Sequence, residues 1–406
     1  MPHDNNTKQS TMIRRVAVVR NNFLPYSETF IHDELNHHVR YKPTVFCRQE
    51  RNVDNYSGHE VISAETIPNR RHPIASAIYG VTGFLPQHEK AFRRTKFDII
   101  HAHFGHNGLW GMGFALRHKL PLVVSLHGRD VTILMGKDKY RPEWWHYLLG
   151  HKFLFRRTTI FLAASTELKE IIVDCGCPEN KVVVHRLGVD LSNFVPADDE
   201  AEGVPRVVMV GRFIEKKGHR YGLEAAAIAR NAGLTFKLTI IGDGDLRPEY
   251  ERIIADLKLE DTVDLLGVRP HTDIMSAMKG AAVVMVPSVI AKNLDRESGV
   301  IVAKEGSACG ISILGTLHGG LPDIVDEGET GYLVAERDSA ALGKKLIQLL
   351  SDKSHRQKMG AAARVKMENE YDSHDRSNAL EDYYDDAIVR YRASRQHVYA
   401  QSTVSK

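Results

Sequence analysis

The 406 residues are 43% hydrophobic and 26% charged, an ordinary globular composition, and at roughly 100–200 residues per domain the length predicts two or three domains. No apolar run approaches the ~18–20 residues of a membrane span, and Met1 to Thr11 is too polar for a secretion signal. The scattered Cys47, Cys175, Cys177 and Cys309 lack the paired spacing of a zinc site, so a reduced, cytoplasmic protein is predicted. The net charge of +3 hides an asymmetry: residues 1–195 carry 26 Lys and Arg against 18 Asp and Glu, and the remainder 28 against 33.

Fifteen of the 21 histidines also lie in that basic first part, which fits an anionic partner such as a membrane surface or a phosphate-bearing acceptor. The basic clusters, among them Arg14-Arg15, Arg70-Arg71, Arg93-Arg94 and Arg156-Arg157, have no interleaved stacking aromatics, so no nucleic-acid partner is expected.

In chain order, the β-branched run Arg15 to Arg20 predicts a first parallel strand, followed by a polar loop Asn21 to Thr29 in which Ser27 or Thr29 can cap a helix carrying Phe30, Ile31 and Leu35. Thr44 to Cys47 and Val61 to Ser63 are further strands. His72 to Phe97 reads as an amphipathic helical region, either a membrane- or acceptor-facing surface or an ordinary solvated face. Phe97 to Phe104 is a buried strand, Gly105 to Leu116 a Gly-rich helix, and Leu120 to Ser125 a strand delivering His127-Gly128-Arg129-Asp130. Ligands of open parallel sheets bind beyond the carboxyl ends of strands, where His101, His103 and His127 all fall. Phe161 to Ser165 and Val182 to His185 continue the alternation, the former opening a helix capped by Ser165 or Thr166. The acidic, breaker-rich Pro196 to Pro205 predicts a linker and therefore a cleft between two sheets.

The second half restarts with the strand Arg206 to Val210 and the loop Gly211-Arg212-Phe213-Ile214-Glu215-Lys216-Lys217-Gly218. A strand, a glycine turn, two cations five positions apart and a helix start make a diphosphate cradle, although a basic surface loop has the same letters. Phe236 to Asp245, Val263 to Gly267 and Ala282 to Ser288 are strands, and the last feeds the loop that presents Glu297. Glu297 and Glu305 are a little over two helical turns apart, so both carboxylates can face one ligand, with Ser298 and Gly299 at the helix mouth. Alone, the pair reads equally as two surface acids. From Asp338 the chain is helical in period, with a frayed tail from Ser394.

Asp295 to Val334 resembles the donor-site signature of the retaining, nucleotide-sugar-dependent glycosyltransferases of family 4. The matches are Glu297, Glu305, Ala308, Gly310, Gly319, Gly320, Val325, Gly328 and Gly331, with Asp323 as a shorter acid; Ser298, Gly299, Val300 and Gly306 depart from the usual pattern. The Gly211-to-Gly218 loop is similar to the family's pyrophosphate site, while Ser27-Glu28-Thr29-Phe30-Ile31 and His185-Arg186-Leu187-Gly188-Val189-Asp190 resemble a subgroup associated with exopolysaccharide assembly.

The resemblance implies an α/β protein of GT-B architecture, two Rossmann-like domains facing each other across a cleft: 1–195 on the acceptor side, 205–375 binding the nucleotide sugar, and a helix at 376–393 packing back on the first domain. It implies catalytic roles for His127, Glu297, Arg212 and Lys217, with His127 beside the transferred sugar. Donor binding falls to Gly211, Arg212, Lys217, Val268, Arg269, Glu297, Ser298, Gly299, Val300, Ile301 and Glu305, the last on the ribose. Acceptor-side candidates are Ser27, Glu28, Thr29, His103 and Asp130.

Arg212 and Lys217 would stabilise the departing diphosphate, with no metal and no cofactor; the UDP- or GDP-linked sugar is a substrate. The acceptor expected is a glycan or polyprenyl-linked oligosaccharide, reached from the cytoplasm with peripheral membrane contact through the basic domain. A nucleotide-sugar epimerase, a sugar phosphorylase and a non-catalytic sugar-nucleotide-binding module are the rival readings.

Overall fold

The computed structural model describes residues 13–23, 29–51, 58–63, 79, 83–197 and 203–404. The chain divides into two compact units, one of Met1–Ser125, Phe153–Phe161 and Ser377–Lys406, the other of Leu126–Lys152 and Leu162–Arg376.

Fifteen strands are formed among the described residues: β1 Arg14–Val19, β2 Asn22–Phe23, β3 Tyr41–Cys47, β4 Gln49–Glu50, β5 Glu60–Ser63, β6 Ile99–His103, β7 Leu122–Leu126, β8 Ile160–Ala163, β9 Val182–Val184, β10 Arg206–Val210, β11 Lys237–Ile241, β12 Val263–Gly267, β13 Val283–Val286, β14 Ser312–Thr316 and β15 Gly331–Val334. They build a seven-stranded sheet in the order β5-β3-β1-β6-β7-β8-β9 and a six-stranded sheet in the order β12-β11-β10-β13-β14-β15, with β2 and β4 as a separate pair. β1 runs parallel to both β3 and β6, and β10 parallel to both β11 and β13.

Each sheet therefore grows outward from its first strand and reverses direction there, the doubly wound pattern of α/β proteins. Such a sheet is covered on both faces, so its strands read as continuous apolar runs instead of alternating ones. β10 shows this directly. Val207 and Met209 enter a core with Leu223, Ala226 and Leu346, while Val208 enters another with Ala303, Ile313 and Met367.

Helices His219–Asn231 and Ser339–Ser351 supply the first of these cores, and Ile301–Ala308 lies over the second. The reversal between β10 and β13 opens a crevice at their carboxyl ends. The loops leaving those two strands carry Gly211 to Lys217 and Pro287 to Glu297.

The last helix, Ser373–Val404, continues ten residues beyond the predicted fraying point at Ser394, because no glycine or proline follows Gly360. From Ser377 it belongs to the first unit. There the buried Glu381 carboxylate accepts the N–H groups of Val39, Arg40 and Tyr41 at 2.9, 2.8 and 3.0 Å, and Tyr384 bonds to His101 at 2.7 Å. Within the segment His72 to Phe97, residues 72–78 and 80–82 lie outside those described. A helix forms at Pro86–Arg94 with His88 and Phe92 buried. Among the described residues no helix is long and apolar enough to cross a membrane.

Candidate active site

β10 ends at Val210, and the chain turns through Gly211 into a short 3-10 turn at Glu215–Lys217 before the helix His219–Asn231 begins. The turn closes at Gly218, whose φ of +63° and whose position leave no room for a side chain: a Cβ there would lie 1.8 Å from the carbonyl oxygen of Pro287. Glycine at this point brings the loop after β10 against the loop after β13. The Lys217 side chain folds back over Gly211, where a Cβ would sit 3.0 Å from its Cδ.

The β13 loop delivers Glu297, and three features hold it. Its backbone N–H donates to Nε2 of His318 at 3.0 Å, and Nδ1 of the buried His318 is 2.6 Å from Glu336 Oε1. Since Nε2 accepts, the proton sits on Nδ1 and is donated to Glu336, which fixes the ring as the neutral Nδ1–H tautomer. Beneath the loop lies the glycine pair that follows His318. A Cβ on Gly319 would stand 2.1 Å from the Glu297 carbonyl oxygen, and one on Gly320 1.9 Å from that of Ser298.

Held this way, Glu297 meets two ammonium groups. Lys217 Nζ donates to Oε2 at 2.8 Å and Lys216 Nζ lies 3.4 Å from Oε1, while Lys216 also pairs with Asp295 at 3.2 Å. Burial alone would raise the Glu297 carboxyl; Lys217 and then Lys216 outweigh it and hold it down at about 2. The group is a carboxylate at any physiological pH.

Past Glu297 the backbone enters the helix Ile301–Ala308 through Val300, a buried β-branched residue in the left-handed region at φ +35° and ψ +57°. That conformation costs a β-branched residue on the order of 1–3 kcal/mol, and such strain clusters at functional sites. No side chain caps this helix start, so its first amides remain available to an oxyanion next to the half-buried Gly299. Ser298 Oγ is 3.1 Å from Ser165 Oγ, which itself caps the helix Thr166–Asp174 by accepting the Leu168 N–H at 3.2 Å. Ile301 is the first helical residue. One turn on, Glu305 Oε1 pairs with His271 Nε2 at 2.9 Å, and His271 rests edge-on against Phe194 with centroids 5.4 Å apart.

The His127-Gly128 turn reaches the same neighbourhood: a Cβ on Gly128 would lie 3.4 Å from the Arg296 carbonyl oxygen and 3.5 Å from Ser298 Cβ. Asp130, fully buried, uses Oδ1 to accept both the His127 and Gly128 amides at 3.1 and 2.9 Å, and so shapes the turn that presents His127. Arg212 is exposed, and among the described residues its guanidinium has no hydrogen-bond or ion-pair partner. Val268 and Arg269 are exposed after β12.

The remaining candidates belong to the first unit. Ser27 and Glu28 lie outside the described residues; Thr29 begins the helix Thr29–Asn36. His103 is buried, with Nε2 3.4 Å from Glu34 Oε1, and burial pushes the Glu34 carboxyl up to about 8. Glu34, His101 and His103 each bring a ligand-type atom within 4.8 Å of the others, a spacing a metal ion could use. The two ring nitrogens of His101 already bond to Tyr384 and to Ser125, at 2.7 and 2.8 Å.

Lys216, His318, Glu336, His271, Ser165 and Glu34 were not among the residues singled out for the site in the sequence. Two of them carried a signal: Lys216 doubles Lys217, and His318 abuts the glycine pair.

Two doubly wound parallel sheets, with a cationic loop and a buried carboxylate meeting at the reversal of the second, define the GT-B class of glycosyltransferases. A sequence model described as "Glycosyl transferases group 1" matches residues 193–366, and one described as "Glycosyltransferase Family 4" matches residues 28–193. The chain belongs to this glycosyltransferase family.

It is 32% identical to the amylovoran biosynthesis glycosyltransferase AmsK of Erwinia amylovora over 68% of this chain and 67% of that one. It is also 32% identical to the putative colanic acid biosynthesis glycosyltransferase WcaL of Escherichia coli (strain K12), over 61% of this chain and 60% of that one, so the match spans three fifths of that relative. HepE of Anabaena, solved in complex with UDP, superposes with a TM-score of 0.72 over 92% of this chain and all of that one; at 16% identity the likeness is one of fold.

Proposed function

We propose that this protein is a retaining glycosyltransferase that moves a sugar from a UDP- or GDP-linked donor to a hydroxyl of a glycan or lipid-linked oligosaccharide in bacterial polysaccharide biosynthesis, acting in the cytoplasm. The observation that carries the reading is the Lys217–Glu297 contact at the sheet reversal, beside a helix start that no side chain caps. The names of AmsK and WcaL support the polysaccharide assignment, and the UDP held by HepE supports a nucleotide-linked donor.

In this reading the diphosphate lies against the loop after β10. An ammonium has three N–H donors, so Lys217 can keep Glu297 and still offer a hydrogen bond to a phosphate oxygen. Arg212 supplies a second cation from the same loop. Both act most strongly on the charge that develops as the anomeric C–O bond breaks and the diphosphate leaves. Glu305 holds the ribose hydroxyls, with His271 fixing its orientation. Glu297 and His127 accept from or donate to hydroxyls of the transferred sugar, and Val268 and Arg269 flank the base. The acceptor oxygen attacks from the face the diphosphate leaves, and its proton passes to the departing phosphate, so configuration is kept without a protein nucleophile.

The test is acceptor-dependent release of nucleoside diphosphate. A panel of nucleotide sugars is screened by thermal shift, and the best binder is incubated with and without polysaccharide-repeat acceptors. Release of UDP or GDP coupled to glycosylated product supports the reading, whereas donor conversion with no nucleotide released assigns an epimerase.

A further inference from the structure

The helix Ile301–Ala308, whose first turn lies in the candidate site, also carries a buried lysine. Lys304, beside Glu305, is 1% exposed; its ammonium donates to the Leu187 carbonyl at 2.8 Å and stands 5.2 Å over the ring of Tyr371. A charge withdrawn from water is costly unless it is paired, and neither of these partners is an anion. Every residue of the cluster belongs to the second compact unit.

The acids around it are committed elsewhere. Asp323 bears on Lys304, but its carboxylate accepts the N–H and the hydroxyl of Thr166 at 2.8 Å each and lies 3.5 Å from Arg186. Glu305 pairs with His271, and Glu370 lies 3.5 Å from Arg186. Of the cations, Arg186 opposes the Lys304 charge, and Arg364 donates to the Ala308 carbonyl at the end of the same helix. Burial first, then Arg376 and Lys304, hold the His185 imidazole down at about 3, so it is neutral; burial likewise pushes the Tyr371 phenol up. Burial also dominates at Lys304 and holds its ammonium down at about 7.

The lysine's partner touches the donor site. Leu187 is buried, and a Cβ on Gly299 would stand 2.9 Å from its Cδ1. Two residues on, Val189 exchanges hydrogen bonds with Tyr371 and Ser373 at 2.8 and 3.2 Å. That bridge holds the chain after Leu187, and Lys304 holds the Leu187 carbonyl itself.

We propose that Lys304 is a positioning residue for the donor: its charged ammonium draws the Leu187 carbonyl to the helix and so seats the Leu187 side chain against Gly299, next to the amides that receive the diphosphate. A charged donor makes a hydrogen bond roughly twice as strong as a neutral one, so loss of the proton loosens this seat. The contribution to donor affinity is therefore full while Lys304 is protonated and declines as pH rises through neutrality. The proposal rests on the donor reading given above.

The experiment follows the Leu187 methyl resonances of the leucine-labelled full chain from about pH 6 to 8.5 in the wild type and in Lys304→Met. The signals are assigned by their loss in Leu187→Ile, and UDP and GDP are titrated at both ends of the range. Expected are an inflection near neutral pH that Lys304→Met abolishes, and a ratio of dissociation constants, wild type over Lys304→Met, that rises about threefold to fivefold across the range. Taking the ratio cancels the ionisation of the nucleotide's own phosphate. If Lys304→Met does not fold, Lys304→Gln takes its place.

A wild type without the inflection, or an inflection that persists in the folded variant, would overturn the proposal. So would a Lys304-dependent inflection with a flat ratio of dissociation constants. Should neither nucleotide bind at any pH while that inflection is present, the donor reading is what fails, and the coupling of Lys304 to Leu187 stands.

Discussion

The ammonium of Lys217 and the Oε2 of Glu297 are 2.8 Å apart although eighty positions separate the two residues in the chain. The strand order brings them together: β10 and β13 are neighbours at the reversal of the six-stranded sheet, and each residue stands on the loop that leaves one of them. Both partners are largely buried, so the pair feels less solvent screening than a surface ion pair.

Glu297→Gln separates the two jobs assigned to this carboxylate. The amide keeps the shape but removes the charge, so Lys216 and Lys217 become freer to hold phosphate. Binding of the nucleoside diphosphate should be retained or tightened while sugar transfer falls about 100-fold. Titration calorimetry and steady-state kinetics on one preparation distinguish this from simple loss of the site.

The same variant should change the acid stability. The folded-state value of Glu297, about 2, lies below its unfolded value, so its contribution is fully present above the ordinary carboxylate range and is lost as pH falls toward 2. That contribution is roughly 2–4 kcal/mol. Urea unfolding at stepped pH should show the wild type losing stability between about pH 4.5 and 2 more steeply than Glu297→Gln.

His318→Ala removes the acceptor for the Glu297 amide and the donor to Glu336. A buried N–H left without a partner costs about 1–3 kcal/mol, so the midpoint of urea unfolding should fall accordingly. Because the Glu297 backbone is then released, the turnover number should fall more than donor affinity. Equal loss in both would place His318 in donor contact instead.

Gly218→Ala tests the loop junction. The new Cβ would meet the Pro287 carbonyl at 1.8 Å in a backbone conformation already unfavourable for alanine, and a loss of about 2–4 kcal/mol or failure to fold is expected. Gly233→Ala is the control. It has positive φ as well, but nothing within 4 Å of the new Cβ, and should cost only about 1 kcal/mol in the same unfolding measurement.

Much of this was legible in the sequence, for a definite reason. Strands buried on both faces must be continuously apolar, so runs such as Arg206 to Val210 and Ala282 to Ser288 were found within a residue or two of β10 and β13. Glu297 is legible from its spacing to Glu305 and Lys217 from its spacing to Arg212 between a strand and a helix start, together with the resemblance of both stretches to the family's donor site. His318 and Glu336 are not, since they support Glu297 through a relay of contacts, His318 to Glu297 across 21 positions and Glu336 to His318 across 18, that no local spacing encodes.

Asp130 illustrates a different limit. The resemblance implies an acceptor-side role for it, whereas in the structure its Oδ1 accepts the amides of its own turn. Separations of two and three residues are those of an Asp-stabilised turn, a pattern as local as the motif itself.

The central claim is that the loop after β10 grips a nucleoside diphosphate. Isothermal titration of UDP and GDP into the wild type, Arg212→Ala and Lys217→Ala, each with its melting temperature measured, tests it most directly. The account predicts that one nucleotide binds the wild type and that each folded variant binds it about tenfold or more weakly. An unchanged dissociation constant in both folded variants would contradict it.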